Sequence, residues 1–344
     1  MLRKIKVQGF KCFDDSEVSL KNFTLLTGVN SAGKSSFIQS ILFSFQQKEK
    51  GQNPLNGKYT QLGLVRDVKN AITNAKEIRI LLEKEDGSIC KVCLDADGKC
   101  QTENIKYLSE IDFIYLLAER IGVEDVYPQN LTDEFRIGIH GEYSFDYLSQ
   151  ERMNEMPEPD FRFSGIGANL GNQVDYWLNY ITGYNITSER ITGTGVVKVS
   201  YRKTINGSRE VNPHHVGTGV SYVANIIIAA LSCKRGSLFI VENPEIHLHP
   251  RAQAKLLEFF CFLSARGLQI VMETHSDHIF NGVRKNIKKK EIPLDKVAVY
   301  YFKLDENNLS RPVRIKIDEN GVLKNHEKGL FDQFDEDLDE LLGL

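Results

Sequence analysis

The chain has 344 residues, of which 43 are Lys or Arg and 46 are Asp or Glu, for a formal net charge of −3. A hydrophobic fraction of 41% with 26% charged residues excludes wholesale disorder. The near balance of charge gives no general attraction for nucleic acid and leaves only a local basic patch as a route to it. The longest apolar stretch, Val223 to Leu231, is interrupted by Asn225 and falls far short of the roughly 20 residues of a membrane span. With no apolar signal-peptide core at the amino terminus, the chain reads as soluble and cytoplasmic, with no membrane partner.

In chain order, a short strand is expected at Lys4–Val7 and a second at Phe23–Leu26, followed by a glycine-rich turn and a helix from about Lys34 to Phe45. Asn53, Pro54, Asn56 and Gly57 mark a loop. Residues 76 to 105 alternate in short runs broken by Asp86-Gly87 and Asp97-Gly98, which predicts an antiparallel meander. Cys90, Cys93 and Cys100 fall in that alternation. Four ligands would be needed for structural zinc and no second Cys or His pair lies nearby, so they read as strand residues. Residues 108 to 190 are mixed, with a helix near Gln173–Tyr180, and a strand follows at Gly195–Tyr201.

The last third is more regular. A helix after Gly217-Thr218-Gly219 carries Val220, Val223, Ile227 and Leu231, and the apolar strand Leu238–Val241 has the character of one buried on both faces of a parallel sheet. Pro250 opens a helix with the stripe Leu256, Phe259, Phe260 and Leu263, which Gly267 terminates. The strand Gln269–Met272 runs into Glu273-Thr274-His275. Alternation of strands and helices predicts an α/β core with parallel strands. The acidic end, Asp332 to Glu340, interleaves Phe334, Leu338 and Leu341 and is expected to be a docked helix.

Gly28-Val-Asn30-Ser31-Ala32-Gly33-Lys34-Ser35 matches the phosphate-binding P-loop pattern, between a strand and a helix as that motif requires. Its glycines let consecutive N–H groups converge on phosphate oxygens, and the following helix adds the positive end of its dipole. Lys34 is expected at the β- and γ-phosphates of ATP and the Ser35 hydroxyl on Mg²⁺, with Ser36 beside it. A P-loop ATPase also needs an acid at the end of a buried strand for the magnesium shell. Glu242 stands there.

Glu242-Asn-Pro-Glu-Ile-His-Leu-His-Pro250 and Glu273-Thr-His275-Ser-Asp, with the P-loop and Ile5-Lys-Val-Gln-Gly-Phe-Lys-Cys-Phe13, resemble the ABC-type ATPases allied to SMC, RecF and OLD proteins. Ala118-Glu-Arg-Ile-Gly122, Gly141-Glu-Tyr143 and Gly329-Leu-Phe-Asp-Gln333 resemble the branch found in prokaryotic anti-phage systems, such as Septu-like ATPases. The likeness is strong in 1–65 and 213–283 and weaker between 75 and 210. It implies an α/β P-loop fold of the ABC-ATPase head type, a mixed sheet core with an antiparallel β subdomain and an inserted helical lobe. Residues 1–344 would form one two-lobed head, with 1–105 and 210–344 as nucleotide-binding core and about 106–209 inserted.

The resemblance also implies roles. Gly217, Thr218 and Gly219 stand where the ABC signature contacts a nucleotide held by the other subunit, which implies an ATP-dependent homodimer; on pattern alone they would be an ordinary turn. His275 corresponds to the switch histidine that senses the γ-phosphate. His247 and His249 fall in the loop where subunits communicate, although alternate residues of an extended segment could also share a metal. Gln61 is a candidate for the loop glutamine that senses Mg²⁺. Where the family places a catalytic Glu, this sequence has Asn243, an amide that orients water but takes no proton at neutral pH. General-base help is worth about 10² to 10⁴ in rate, so slow hydrolysis is expected. Glu245 is a substitute base whose geometry the intervening Pro244 disfavours.

Three functions compete: an ATPase gating an effector in anti-phage defence, an ATP-sensing scaffold without turnover, and a RecF-like DNA-repair ATPase. No Toprim-like acidic cluster and no HNH-like zinc knuckle is legible, so nuclease or toxin chemistry is expected from a separate protein. The run Arg284–Lys290 could touch DNA phosphates, but reads more simply as a solvated helix end.

Overall fold

A computed structural model describes residues 1–48, 53–132, 135–203 and 209–342. The chain forms two compact units, Met1–Ile111 with Ile287–Leu344, and Asp112–Asn286. The first opens with the antiparallel pair β1 (Leu2–Phe10) and β2 (Phe13–Ser19), then β3 (Phe23–Gly28), α1 (Lys34–Gln46) and the single turn α2 (Val65–Val68). Ile5 and Val7 of β1 are fully buried while the residues between them are not, the two-residue period of a half-buried strand.

The expected meander is present as β4 (Glu77–Lys84), β5 (Ile89–Asp95) and β6 (Cys100–Glu103), followed by the turn α3 (Lys106–Ser109). These strands extend the first pair into an antiparallel sheet of order β2-β1-β4-β5-β6. Buried Ile78, Ile80 and Leu82 face Leu94, Val92 and Cys90 across the ladder, so Cys90 is a core residue of a strand. Among the described residues no group of three or more His, Cys, Asp or Glu is placed to hold a metal ion.

The second unit runs β7 (Phe113–Leu116), β8 (Tyr127–Pro128), α4 (Ser144–Glu151), α5 (Leu170–Thr182), β9 (Tyr184–Ile191), β10 (Val196–Lys203), β11 (Glu210–Val211) and α6 (Thr218–Leu231). It continues with β12 (Leu238–Glu242), α7 (Pro250–Ala265), β13 (Gln269–Glu273) and α8 (Asp277–Lys288), whose end passes the unit boundary. β13, β12 and β7 are parallel neighbours in that order. Their apolar runs, Leu238–Val241 in β12 and Ile270–Met272 in β13, are explained by burial on both faces. The helix expected near Gln173 is α5, capped by the Asn169 side chain at its start and by Gly183 in the left-handed region at its end. The middle of the chain thus carries helices and also the antiparallel hairpin β9–β10.

The chain re-enters the first unit with β14 (Val297–Leu304), β15 (Ser310–Ile315) and α9 (Gln333–Leu342). β14 pairs parallel with β3 and antiparallel with β15, which makes the sheet mixed. The acidic end is helical as expected, but its docking is not borne out: Leu338 and Leu341 are exposed, Leu341 to 83%. The side chain of Phe334 lies outside the described residues. None of the helices is long and apolar enough to cross a membrane, among the described residues.

Candidate nucleotide-binding site

The P-loop connects β3 to α1 in the first unit. Gly28 has φ +136 and a Cβ there would lie 2.2 Å from the Phe302 carbonyl oxygen of β14. Gly33 caps α1 at φ +106, where a Cβ would meet Ser310 Oγ at 2.7 Å. Both positions therefore demand glycine for conformation and for space. Ser31 also takes positive φ, and the loop crest, Val29, Asn30 and Ser31, is exposed, while Ala32 is buried. Lys34 is only 4% exposed, and its ammonium donates to the carbonyls of Gly28 and Val29 at 3.0 and 2.9 Å. These two acceptors hold the cation inside the loop. Ser35 is exposed in the first turn of α1 and Ser36 half-buried. A loop closed to any side chain at Gly28 and Gly33, with a cation at its centre and a helix start beside it, suits a polyphosphate. Gln61, in the same unit, is exposed and donates through Nε2 to its own loop at Gly57 O, 3.0 Å away.

The second unit carries the acidic strand end. Glu242 closes β12 directly opposite Glu273 of β13. Its Oε1 accepts from Tyr115 Oη at 2.9 Å. Burial, then the Glu273 charge, pushes the Glu242 carboxyl up to about 7, with the Tyr115 hydrogen bond working against them. A half-buried acid with that resistance to ionisation, opposite the buried Glu273, fits a divalent cation, which would relieve both causes.

Asn243 follows in the left-handed region at φ +43. Arg120, 4% exposed, holds this turn: its guanidinium donates to Leu117 O at 2.9 Å, Glu242 O at 2.7 Å and Asn243 O at 2.9 Å. Burial lowers Arg120 to about 10, still cationic at neutral pH. Glu245 Oε1 accepts from Thr274 Oγ1 at 2.8 Å and from the His275 backbone N–H at 2.9 Å. This carboxylate braces the turn that carries His275, whose side chain is exposed. Sequence reasoning weighed Glu245 only as a base, and it passed over Arg120 and Tyr115 as site residues. The quoted Ala118-Glu-Arg-Ile-Gly segment contains Arg120, but nothing local marks it as a clamp.

Gly217, Thr218 and Gly219 open α6, which starts at Thr218 rather than after the glycines. A Cβ on Gly219 would lie 2.5 Å from His247 O, whereas one on Gly217 would meet nothing within 4 Å. The first glycine of the triplet is open and the second is packed. His247 sits at φ +62 with its ring edge-on to Tyr222 of α6, centroids 4.9 Å apart. His249 caps α7, its Nδ1 accepting from Arg251 N. A cleft of about 520 Å³ is lined by Gly217, Gly219, His247, His249, Arg251 and Lys255, among others.

A family model described as "AAA domain, putative AbiEii toxin, Type IV TA system" matches residues 109–281, half of the chain. The chain belongs to this AAA-domain family. An AAA ATPase domain model covers residues 1–140 of this AAA protein, and a domain model of unknown function covers 292–341. No curated protein matches it. Among solved structures it resembles an Smc head bound to the C-winged helix domain of ScpA, with TM-score 0.61, 13% identity, 92% of this chain and 98% of that one covered. The SMC head domain from Thermotoga maritima gives TM-score 0.52 at 13% identity over 92% and 99% of the two chains. An Smc head with an extended coiled coil, bound to the C-terminal domain of ScpA derived from Pyrococcus furiosus, gives 0.55 at 10% identity over 99% of each. The fold is therefore that of an SMC-head P-loop ATPase, an α/β fold with a mixed sheet, and the family is one of nucleotide-binding ATPases.

Proposed function

We propose that this AAA protein binds ATP with Mg²⁺, hydrolyses it slowly as an ABC-type homodimer, and gates a separate nuclease or toxin in prokaryotic anti-phage defence. The observation that carries the nucleotide reading is the P-loop, with two obligatory glycines around a buried Lys34 whose ammonium donates to the loop carbonyls of Gly28 and Val29. Bound ATP supplies the transferable phosphoryl group, and Mg²⁺ neutralises its developing charge. The loop of Gly28, Asn30, Ser31, Ala32 and Gly33 would hold the phosphates, Lys34 would exchange its carbonyl partners for phosphate oxygens, and Ser35 and Glu242 are assigned to the metal. Gln61 remains assigned to the metal shell by resemblance alone. His275 is assigned to sensing the γ-phosphate, and Gly217, Thr218 and Gly219 to the nucleotide of a second copy. Asn243 orients water without taking its proton, which supports slow turnover and a long-lived ATP state. The defence setting is supported by the family description, with its abortive-infection toxin and toxin–antitoxin wording.

The DNA-repair reading has less support. In the basic run, Arg284 donates to Asn281 and Lys285 pairs with Glu258 at 3.2 Å, so two of its cations are engaged. Phosphate release that disappears in Lys34→Ala supports the ATPase. Nucleotide binding with no release above background would leave the sensing scaffold instead.

A further inference from the structure

The turn that carries His275 is held by side chains from two other places in the second unit. Glu245, past the end of β12, brings one oxygen to it: Oε1 accepts from Thr274 Oγ1 at 2.8 Å and from the His275 N–H at 2.9 Å. Thr274 is fully buried and passes the restraint on, since its Oγ1 also accepts the Ser276 N–H at 3.0 Å. Gln253 of α7 grips the turn from the other side. It is 9% exposed, its Oε1 accepts from Ser276 Oγ at 2.5 Å, and its Nε2 donates to Leu248 O at 2.9 Å. Ser276 Oγ accepts in turn from the Ile279 N–H in the first turn of α8. Of residues 273–276, His275 alone is exposed. The backbone of the turn is thus fixed while one imidazole stands out from it.

The same contacts bear on what Glu245 can do. A general base must come within about 2.6–3.2 Å of the proton carrier it acts on. Oε1 is engaged twice by the turn. Oε2 is buried, and among the described residues it has no hydrogen-bond partner. A carboxylate with one oxygen spent and the other shut away from solvent is suited to holding the turn and poorly suited to meeting an attacking water.

We propose that Glu245 is a positioning residue: it fixes the turn so that the His275 imidazole meets the γ-phosphate of bound ATP in one orientation, and it takes no proton in hydrolysis. This rests on the ATPase reading above, and it withdraws Glu245 as a substitute for the missing base at Asn243.

Phosphate release and hydrogen exchange test it together. With ATP and Mg²⁺, Glu245→Ala should lose about tenfold to a hundredfold in kcat while the KM for ATP changes less than about threefold, because a misplaced group costs rate more than binding. Glu245→Gln keeps an oxygen for both donors and should stay within about threefold of the wild-type rate, its hydrogen bonds weakened but not removed. The double variant Glu245→Ala/His275→Ala should be no slower than His275→Ala, since residues that act through one another are not additive. In the nucleotide-free chain, exchange of the 274–279 amides should rise about tenfold in Glu245→Ala and stay near wild type in Glu245→Gln. Glu245→Gln as inactive as Glu245→Ala, with exchange still slow, would make Glu245 the base and overturn the proposal. Exchange in Glu245→Ala that matches wild type would overturn it as well. If wild type itself releases no phosphate, the ATPase reading fails separately; faster exchange in Glu245→Ala than in Glu245→Gln then still supports the brace, and equal exchange refutes it.

Discussion

Glu242, the residue assigned above to the metal, carries a cost in stability. Its ordinary carboxyl pKa of 4.5 rises to about 7 in the folded protein, chiefly through burial and then through Glu273. Between those two values the folded state holds more protons than the unfolded one, so stability falls as pH rises through the window and then levels off. A shift of this size corresponds to roughly 3 kcal/mol. Glu242→Gln keeps an acceptor for Tyr115 and removes the charge. The nucleotide-free variant should therefore be more stable than wild type at pH 8 and equal to it near pH 4.5, as measured by denaturant midpoints. An unchanged midpoint at pH 8 would contradict the burial argument. The neighbouring Asn243 is suited to its left-handed φ of +43, which Asn tolerates better than most residues. Asn243→Glu should then cost about 1 kcal/mol in stability while raising phosphate release, if this is the base position. A rate that stays flat or drops would remove the position from that role. Glu242 was legible because a fully apolar run ends in an acid. Tyr115 and Arg120, 127 and 122 residues earlier in the chain, were not, because contacts between parallel strands leave no periodic trace in sequence.

At the scale of elements, the entry to α6 depends on two glycines with unlike reasons. Gly219 lets the turn before α7 approach, since its absent Cβ would lie 2.5 Å from the backbone at His247. Backbone at that distance cannot yield cheaply. Gly217 has open space and φ −62, a conformation any residue adopts. Gly219→Ala should destabilise the protein by roughly 1–3 kcal/mol, as overpacking does. Gly217→Ala should leave the midpoint within about 0.5 kcal/mol, as surface changes do. Equal effects of the two would refute this division. Elements with strong local signals were readable for different reasons: α1 follows the P-loop glycines, β4 and β5 alternate because burial on one face imposes its period, and α7 carries its apolar stripe. β14 was passed over although Val297–Phe302 is buried throughout, since a short apolar run alone does not separate strand from helix. The docking expected of α9 failed for a related reason. Apolar spacing records a face that can be covered, and Leu341 is not.

At the scale of the whole molecule, the phosphate loop is shaped by residues near the other end of the sequence. The chain leaves the first unit at Ile111 and returns to it at Ile287. β14 then runs parallel to β3 with Phe302 opposite Gly28, and β15 begins at Ser310. Ser310 is 1% exposed. Its hydroxyl donates to Ala32 O at 2.5 Å and its backbone N–H to Cys12 O at 2.8 Å. The hydroxyl thus fixes the carbonyl two residues before Lys34, and no local pattern in residues 28–36 reveals that dependence. Ser310→Ala strands a buried carbonyl without its donor, which costs about 1–3 kcal/mol. Part of that loss should fall on the loop, so ATP affinity should weaken severalfold. Thermal stabilisation by ATP reports both effects, since a ligand at 100 times its dissociation constant adds about 2.7 kcal/mol and a weakened one adds less. The variant should unfold earlier without nucleotide and gain a smaller increment with it, while Lys34→Ala gains none. If Ser310→Ala instead loses stability but keeps the full ATP increment, the hydroxyl supports the sheet alone and the loop is held by its own glycines.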